Sequence, residues 1–200
     1  MPMDVLDIIH ARRTVRAFKQ DPIDEQTLTE MVDAARVGPS GANLQPLEYV
    51  IVTEPALREE VFDCLKWAAY LAPVGTPGPG EHPTAYVVVL TRPEYAPPIG
   101  TAYDVGAAVQ TILLLAVARG LGGAWIKSVN YPLLKKLLSV PDGLEVDCVV
   151  ALGKPAETPQ RVDLDPGQEG KEVIRYWRDE KGRHFVPKRA LARVLHWQRY

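Results

Sequence analysis

Three arginines and a threonine crowd into five positions at Arg12-Arg13-Thr14-Val15-Arg16. Guanidinium groups packed this closely repel one another unless an anion lies among them, and the planar donor fork of arginine suits phosphate oxygens. In an extended segment, alternate residues face one ligand together. A solvated basic turn is the plainer account of the same residues. Further along, Gly38-Pro39-Ser40-Gly41-Ala42-Asn43-Leu44-Gln45-Pro46 holds hydroxyl, amide and glycine groups between two prolines. Such a loop presents several hydrogen bonds rigidly, as the carbonyl and imide edge of a flat heteroaromatic ring requires. An ordinary helix-to-strand connection has a similar composition.

Other chemistries find less support. The cysteines, Cys64 and Cys148, lie far apart among apolar neighbours, and the spacing fits neither a disulfide framework nor a zinc site. His10, His82, His184 and His196 share no metal-ligand spacing. Gly120-Leu121-Gly122-Gly123 follows a helix and precedes a strand, the reverse of a dinucleotide-binding turn, which disfavours a Rossmann dehydrogenase. A formal net charge of -2 offers no general attraction to nucleic acid or anionic membrane, so the basic cluster is a local device. The longest apolar segment, 105–118, is interrupted by Gln110 and Thr111 and falls short of the ~20 residues that cross a bilayer. No basic leader with an apolar stretch opens the sequence, and a cytoplasmic location is the default expectation.

These groups need elements to hold them. Asp24 reads as the N-cap of a helix with Ile23 placed to staple onto Leu28, and Gly38-Pro39 stops its helical spacing. Residues 49–53 read as a strand, and Glu54-Pro55 opens a helix expected to reach about Tyr70. Residues 73–83, rich in Pro and Gly, predict an irregular mobile flap. Residues 85–91, 124–129 and 146–152 predict strands, with a short helix over 132–138. The helix predicted over 104–119 is apolar nearly all round and should be buried at the centre. The order predicts one layered α+β or α/β domain over 1–200. After a polar stretch at 156–170, the aromatic and charged C-terminal residues need a surface to cover. An arm spanning 156–200 that wraps over the body or a second subunit meets that need, and a terminal hairpin on its own subunit is the alternative.

Taken together, Arg12 to Phe18 and Pro39 to Pro46 resemble the paired signature of the nitroreductase family, and the resemblance continues through Tyr103-Asp104-Val105-Gly106, the Gly120 to Ile126 segment and Val149 to Pro155. It implies an α+β fold with a central, mostly antiparallel sheet flanked by helices. It also implies an intertwined homodimer that binds FMN in clefts at the subunit interface, with NADH or NADPH as electron donor. By this likeness Arg12, Arg13, Thr14 and Arg16 hold the phosphate, ribityl chain and pyrimidine edge. Pro39, Ser40, Gly41, Asn43 and Gln45 approach the ring system from the partner chain. Gly122 and Gly123 bring backbone close to the flavin near N5 and O4, as the missing Cβ allows. Lys188 and Arg189 complete the phosphate site, with Arg161 as the rival. No protein nucleophile is implied, because the cofactor carries the chemistry. Reduction of a nitroaromatic, quinone or enone-like acceptor is the implied activity. Another flavin enzyme on the same fold (a dehalogenase, a dehydrogenase or an oxygen-dependent enzyme that fragments FMN) and a non-catalytic flavin sensor are the alternatives.

Overall fold

Aspartates open the first two helices of the computed structural model, which describes residues 3–71, 75–97 and 99–200. Asp4 accepts from the Val5 amide at the start of α1 (Val5–Ala11). After an irregular run through 12–17 comes a two-residue strand, β1 (Phe18–Lys19). Asp24 then caps α2 (Glu25–Arg36) by accepting from the Thr27 amide at 2.8 Å. Each carboxylate satisfies an amide that has no partner within the helix and complements the helix dipole. Leu28, Met31 and Ala35 form the buried face of α2, as the helical spacing predicts.

β2 (Leu47–Val52) leads into α3 (Pro55–Asp63), capped by Glu54. The expectation that this helix reaches Tyr70 is not met. It ends at Cys64 because Leu65 forms a β-bridge with Val129 and the Lys66 amide donates to the Ser128 carbonyl at 2.9 Å. β3 (Ala85–Thr91) occupies the predicted residues and is buried along its whole length. α4 (Ala102–Ala118), β4 (Gly122–Ile126), α5 (Tyr131–Leu137) and β5 (Glu145–Pro155) follow. Gly120, with φ +71°, makes the left-handed turn out of α4.

The five strands form one sheet in the order β1-β5-β3-β2, with β4 also on β5, and every pairing is antiparallel. On one face, Met31 of α2 and Ile112 of α4 pack over Val87, Val89 and Val150. On the other, Val61 of α3 and Leu134 of α5 pack over Val88, Val149 and Ala151. The predicted all-round burial of α4 holds on one side only. Val105, Val109, Ile112 and Ala116 are buried, whereas Tyr103 is 73% exposed and Gln110 is exposed. Among the described residues, no helix is long and apolar enough to cross a membrane.

Within the expected flap, Pro73 and Val74 lie outside the described residues. Its far end is tied down: the Glu81 carbonyl accepts from the Phe18 amide at 3.1 Å, and the His82 ring stacks on Phe62 at 3.7 Å. The C-terminal segment builds a second, small sheet of β6 (Gln160–Asp163), β7 (Trp177–Arg178) and β8 (His184–Lys188) in the order β6-β8-β7. It packs on the body of its own chain, with the His184 side chain buried and the Arg178 guanidinium on Glu157 at 2.6 Å. Residues 191–200 are all exposed, among them Leu191, Leu195 and Trp197.

Candidate functional site

The run from 12 to 18 obeys the alternation of an extended chain. Arg13, Val15 and Ala17 are buried against the body, while Arg12, Thr14 and Arg16 share the half-exposed side. What holds the run straight is β4: the Val15 amide donates to the Gly123 carbonyl at 3.0 Å, and Thr14 bridges Gly123 in parallel. Gly123 permits this packing, because a Cβ there would stand 2.7 Å from the Ala151 carbonyl oxygen and 2.8 Å from Leu113. At Gly122 a Cβ would meet Val15 Cγ2 at 2.7 Å. The packing of the protein on itself therefore favours a missing Cβ at both positions.

Around Arg13 the fold gathers cations from both ends of the chain. The parallel pairing of β6 with β8 sets Arg161 opposite Val186 and Asp163 opposite Lys188, at the edge of the α1 terminus. The Lys188 ammonium is exposed, yet protein atoms displace part of its water, and with Arg13 and Arg12 nearby they hold its pKa below the usual lysine value. Burial lowers the Arg13 pKa as well, with Arg12 and Arg161 adding to the shift and Asp163 opposing it. Arg161 also binds His10 Nδ1 at 2.8 Å and Asp163 at 3.0 Å. Arg13 Nε is buried without a partner. A cluster of like charges with an unused donor is a seat for an anion. Both rivals for completing it, Lys188 and Arg161, lie in this cluster. Arg189 does not; its guanidinium turns to the Arg193 carbonyl at 3.3 Å.

Arg16 leads into a cleft of about 770 Å³, lined also by Lys66, Trp67, Tyr176 and residues 124–128. Its Cζ lies 4.9 Å from the centre of the Tyr176 ring, and its amide donates to Glu157 at 2.5 Å. Its Nη1 is buried without a partner, and burial lowers its pKa, with Tyr176 and Glu157 opposing. Lys127, at the end of β4, pairs with Asp147 at 3.0 Å. Gly122 and Gly123 do not line this cleft. The sequence reading gave no site role to Trp67, Trp125, Lys127 and Tyr176, which enter from three separate stretches of chain; of these only Trp125 lay in a segment that carried the resemblance. Neither cysteine is a nucleophile of the site: both are buried, and burial pushes the Cys148 thiol up to about 12.

The loop at 39–45 stands elsewhere. Pro39, Asn43 and Gln45 are exposed, and Ser40 and Gly41 are partly so. The Ser40 hydroxyl accepts from the Gln45 amide at 2.8 Å, and the Gly41 amide donates to Asp104 at 2.9 Å. Ala42, Asn43 and Gln45 all have φ near +50°, a conformation that costs of order 1–3 kcal/mol for each non-glycine residue and clusters at ligand clamps. Pro39, Ser40 and Gln45 border a separate hollow of about 140 Å³ that shares no residue with the cleft. One chain thus presents a cation cluster and a cleft at the two ends of the Arg12 to Arg16 run and, apart from them, a strained polar loop.

Comparison with known proteins identifies the family. Residues 9–154 match the model of the nitroreductase family. A Methanothermobacter thermautotrophicus protein with the provisional double name NADH dehydrogenase/NAD(P)H nitroreductase is 30% identical over 171 residues, 82% of this chain and 84% of its own. The 5,6-dimethylbenzimidazole synthase of Rhodospirillum rubrum is 29% identical over 167 residues, 73% of this chain and 79% of its own. The structure of the NADPH:FMN oxidoreductase from Vibrio harveyi, complexed with NAD+, superposes with a TM-score of 0.66 at 22% identity, covering 98% of this chain and 77% of that one. The antiparallel sheet with helices on both faces, the Arg12 to Arg16 run laid against β4 and a match extending over most of the chain lead to one assignment: this protein belongs to the nitroreductase family.

Proposed function

We propose that the protein is an FMN-dependent oxidoreductase that draws electrons from NADH or NADPH and delivers them to a nitroaromatic, quinone or enone-like acceptor. The observation that carries this reading is the extended run in which Arg12, Thr14 and Arg16 share one half-exposed side, with Lys188 close to Arg12 at one end and the cleft at Arg16 at the other. A ligand with one terminal phosphate and a flat ring system matches that shape, and the unpartnered Arg13 Nε and Arg16 Nη1 are donors waiting for acceptors. When bound, FMN supplies the hydride chemistry at its N5. The chain's own work is positional and electrostatic. Arg12, Arg13, Thr14 and Lys188, with Arg161 as a further cation, hold the phosphate end. Arg16 brings a fixed positive charge to the pyrimidine edge, where a reduced ring gathers negative charge. Trp67 and Trp125 give the cleft apolar walls that limit water.

The same reading includes a homodimer. α4 exposes Tyr103 and leaves Leu114 and Val117 half-buried, the tail at 191–200 exposes Leu191, Leu195 and Trp197, and the strained loop at 39–45 lies apart from the cleft of its own chain. A two-fold dimer covers such surfaces and lets Ser40, Asn43 and Gln45 of one chain serve the cleft of the other. Anaerobic titration with NADH and then NADPH tests the core claim. Protein loaded with about one FMN per chain should bleach and regain its colour on adding a quinone. Protein that releases FAD, or takes up no flavin, would overturn it. The relative named 5,6-dimethylbenzimidazole synthase favours a second reading, a different flavin enzyme on this fold. Formation of dimethylbenzimidazole when the reduced protein meets oxygen separates the two.

A further inference from the structure

Tyr176 enters the cleft from outside the family's matched core. It directly precedes β7 in the small C-terminal sheet, beyond residues 9–154, yet it lines the cleft together with Trp67 and Trp125. Its ring is fixed from several sides. Arg16 Cζ lies 4.9 Å from its centre, the His184 ring meets it edge-on at 5.6 Å, and the Tyr70 ring is tilted against it at 5.2 Å. Behind it, the Glu157 carboxylate takes both the Arg16 amide at 2.5 Å and the Arg178 guanidinium at 2.6 Å, which ties the sheet to the Arg16 segment. His184 is 2% exposed, so the support under the ring is packed shut. An aromatic side chain ordered before its ligand arrives loses little freedom on binding.

We propose that Tyr176 is a specificity-determining wall of the cleft, a preset ring against which a planar aromatic acceptor stacks, supplied by the C-terminal sheet. The acceptor's reduction rests on the oxidoreductase reading above, but the stacking does not. Stacked or edge-on rings attract beyond the area they bury, whereas a saturated ring of the same charge gains only the area. Tyr176 therefore discriminates by flatness.

The test uses the flavin-loaded protein and two unreactive probes, benzoate and cyclohexanecarboxylate, titrated by tryptophan fluorescence and flavin absorbance. Wild type should prefer benzoate. Tyr176→Leu should weaken benzoate about tenfold and erase the preference, while Tyr176→Phe stays within about twofold of wild type. Trp177→Leu alters the neighbouring residue, which stacks on Phe185 at 5.2 Å and does not line the cleft, and should keep the preference. With substrates, the ratio of kcat/KM for p-nitrobenzoate to that for ferricyanide should fall about tenfold in Tyr176→Leu. If leucine unfolds the small sheet, Tyr176→Met takes its place. A wild-type protein with no preference for benzoate, a leucine or methionine variant that keeps it, or a phenylalanine variant that loses it overturns the proposal. Failure of the oxidoreductase reading shows differently, as protein that takes up no FMN or stays inert to NADH and NADPH, and the two-probe titration read by tryptophan fluorescence alone still decides the role of Tyr176.

Discussion

Arg13 Nε and Arg16 Nη1 are buried without partners, and a donor left so costs roughly 1–3 kcal/mol until something accepts from it. The free protein carries that cost, and FMN bound as proposed would relieve it. Replacing Arg12 or Arg16 with alanine should accordingly weaken FMN binding by roughly 1.5–3 kcal/mol each, the range for hydrogen bonds to charged groups. Fluorescence titration of flavin-free protein measures it, and wild-type affinity in both variants would return the cluster to a solvated turn. Lys188 should behave in two ways at once. Its folded pKa lies below the ordinary lysine value of 10.5, first through lost hydration and then through Arg13 and Arg12. The unfolded chain therefore holds that proton more tightly, and stability rises with pH between the folded pKa and 10.5. Below that window the charge is a burden on the flavin-free fold. Lys188→Met should raise the thermal midpoint of flavin-free protein slightly, by less than about 1 kcal/mol given the exposed side chain, while loosening FMN. A variant that lowers both would disprove the trade.

Among the elements, β4 and the small C-terminal sheet carry the sharpest expectations. Gly123→Ala forces a Cβ against the Ala151 carbonyl and Leu113 and should cost about 1–3 kcal/mol of stability, read by denaturant unfolding. A variant of unchanged stability that loses flavin would instead favour the ring-contact role expected of this glycine. Under the small sheet, burial, with Arg16 and Arg178 adding and Glu157 opposing, pushes the His184 pKa below 6.5. The unfolded chain takes up the proton first as pH falls, so stability drops from 6.5 downward toward the folded pKa. The thermal midpoint should decline as the pH falls below about 6.5, and His184→Phe should flatten the decline. What the sequence revealed of these elements follows the range of the forces involved. α2 and β3 were legible because a cap, a helical period and an apolar run are local signals. α3 was overextended because Leu65 and Trp67 continue an apolar pattern whose real use is a bridge to Val129 and a wall of the cleft. The alternation of Arg12, Thr14 and Arg16 is local and could be read. The choice between Arg161 and Lys188 could not, since a parallel pairing of distant strands brings in both, and the aromatic residues of the cleft look like core residues until the fold assembles them.

For the whole molecule, truncation before Glu172 removes Tyr176, β8 and the exposed tail together. Such a chain should sediment as monomer or aggregate and purify colourless; one that stays dimeric and yellow would separate assembly from the C-terminal segment. The anion seat also has a consequence in time. The ribosome makes Arg12 and Arg13 long before Lys188. While the intervening residues are synthesised, half of the seat waits for its partner. The seat proposed for a phosphate ligand is therefore complete only once β8 has emerged, and uptake of such a ligand should report on folding of the C-terminal sheet.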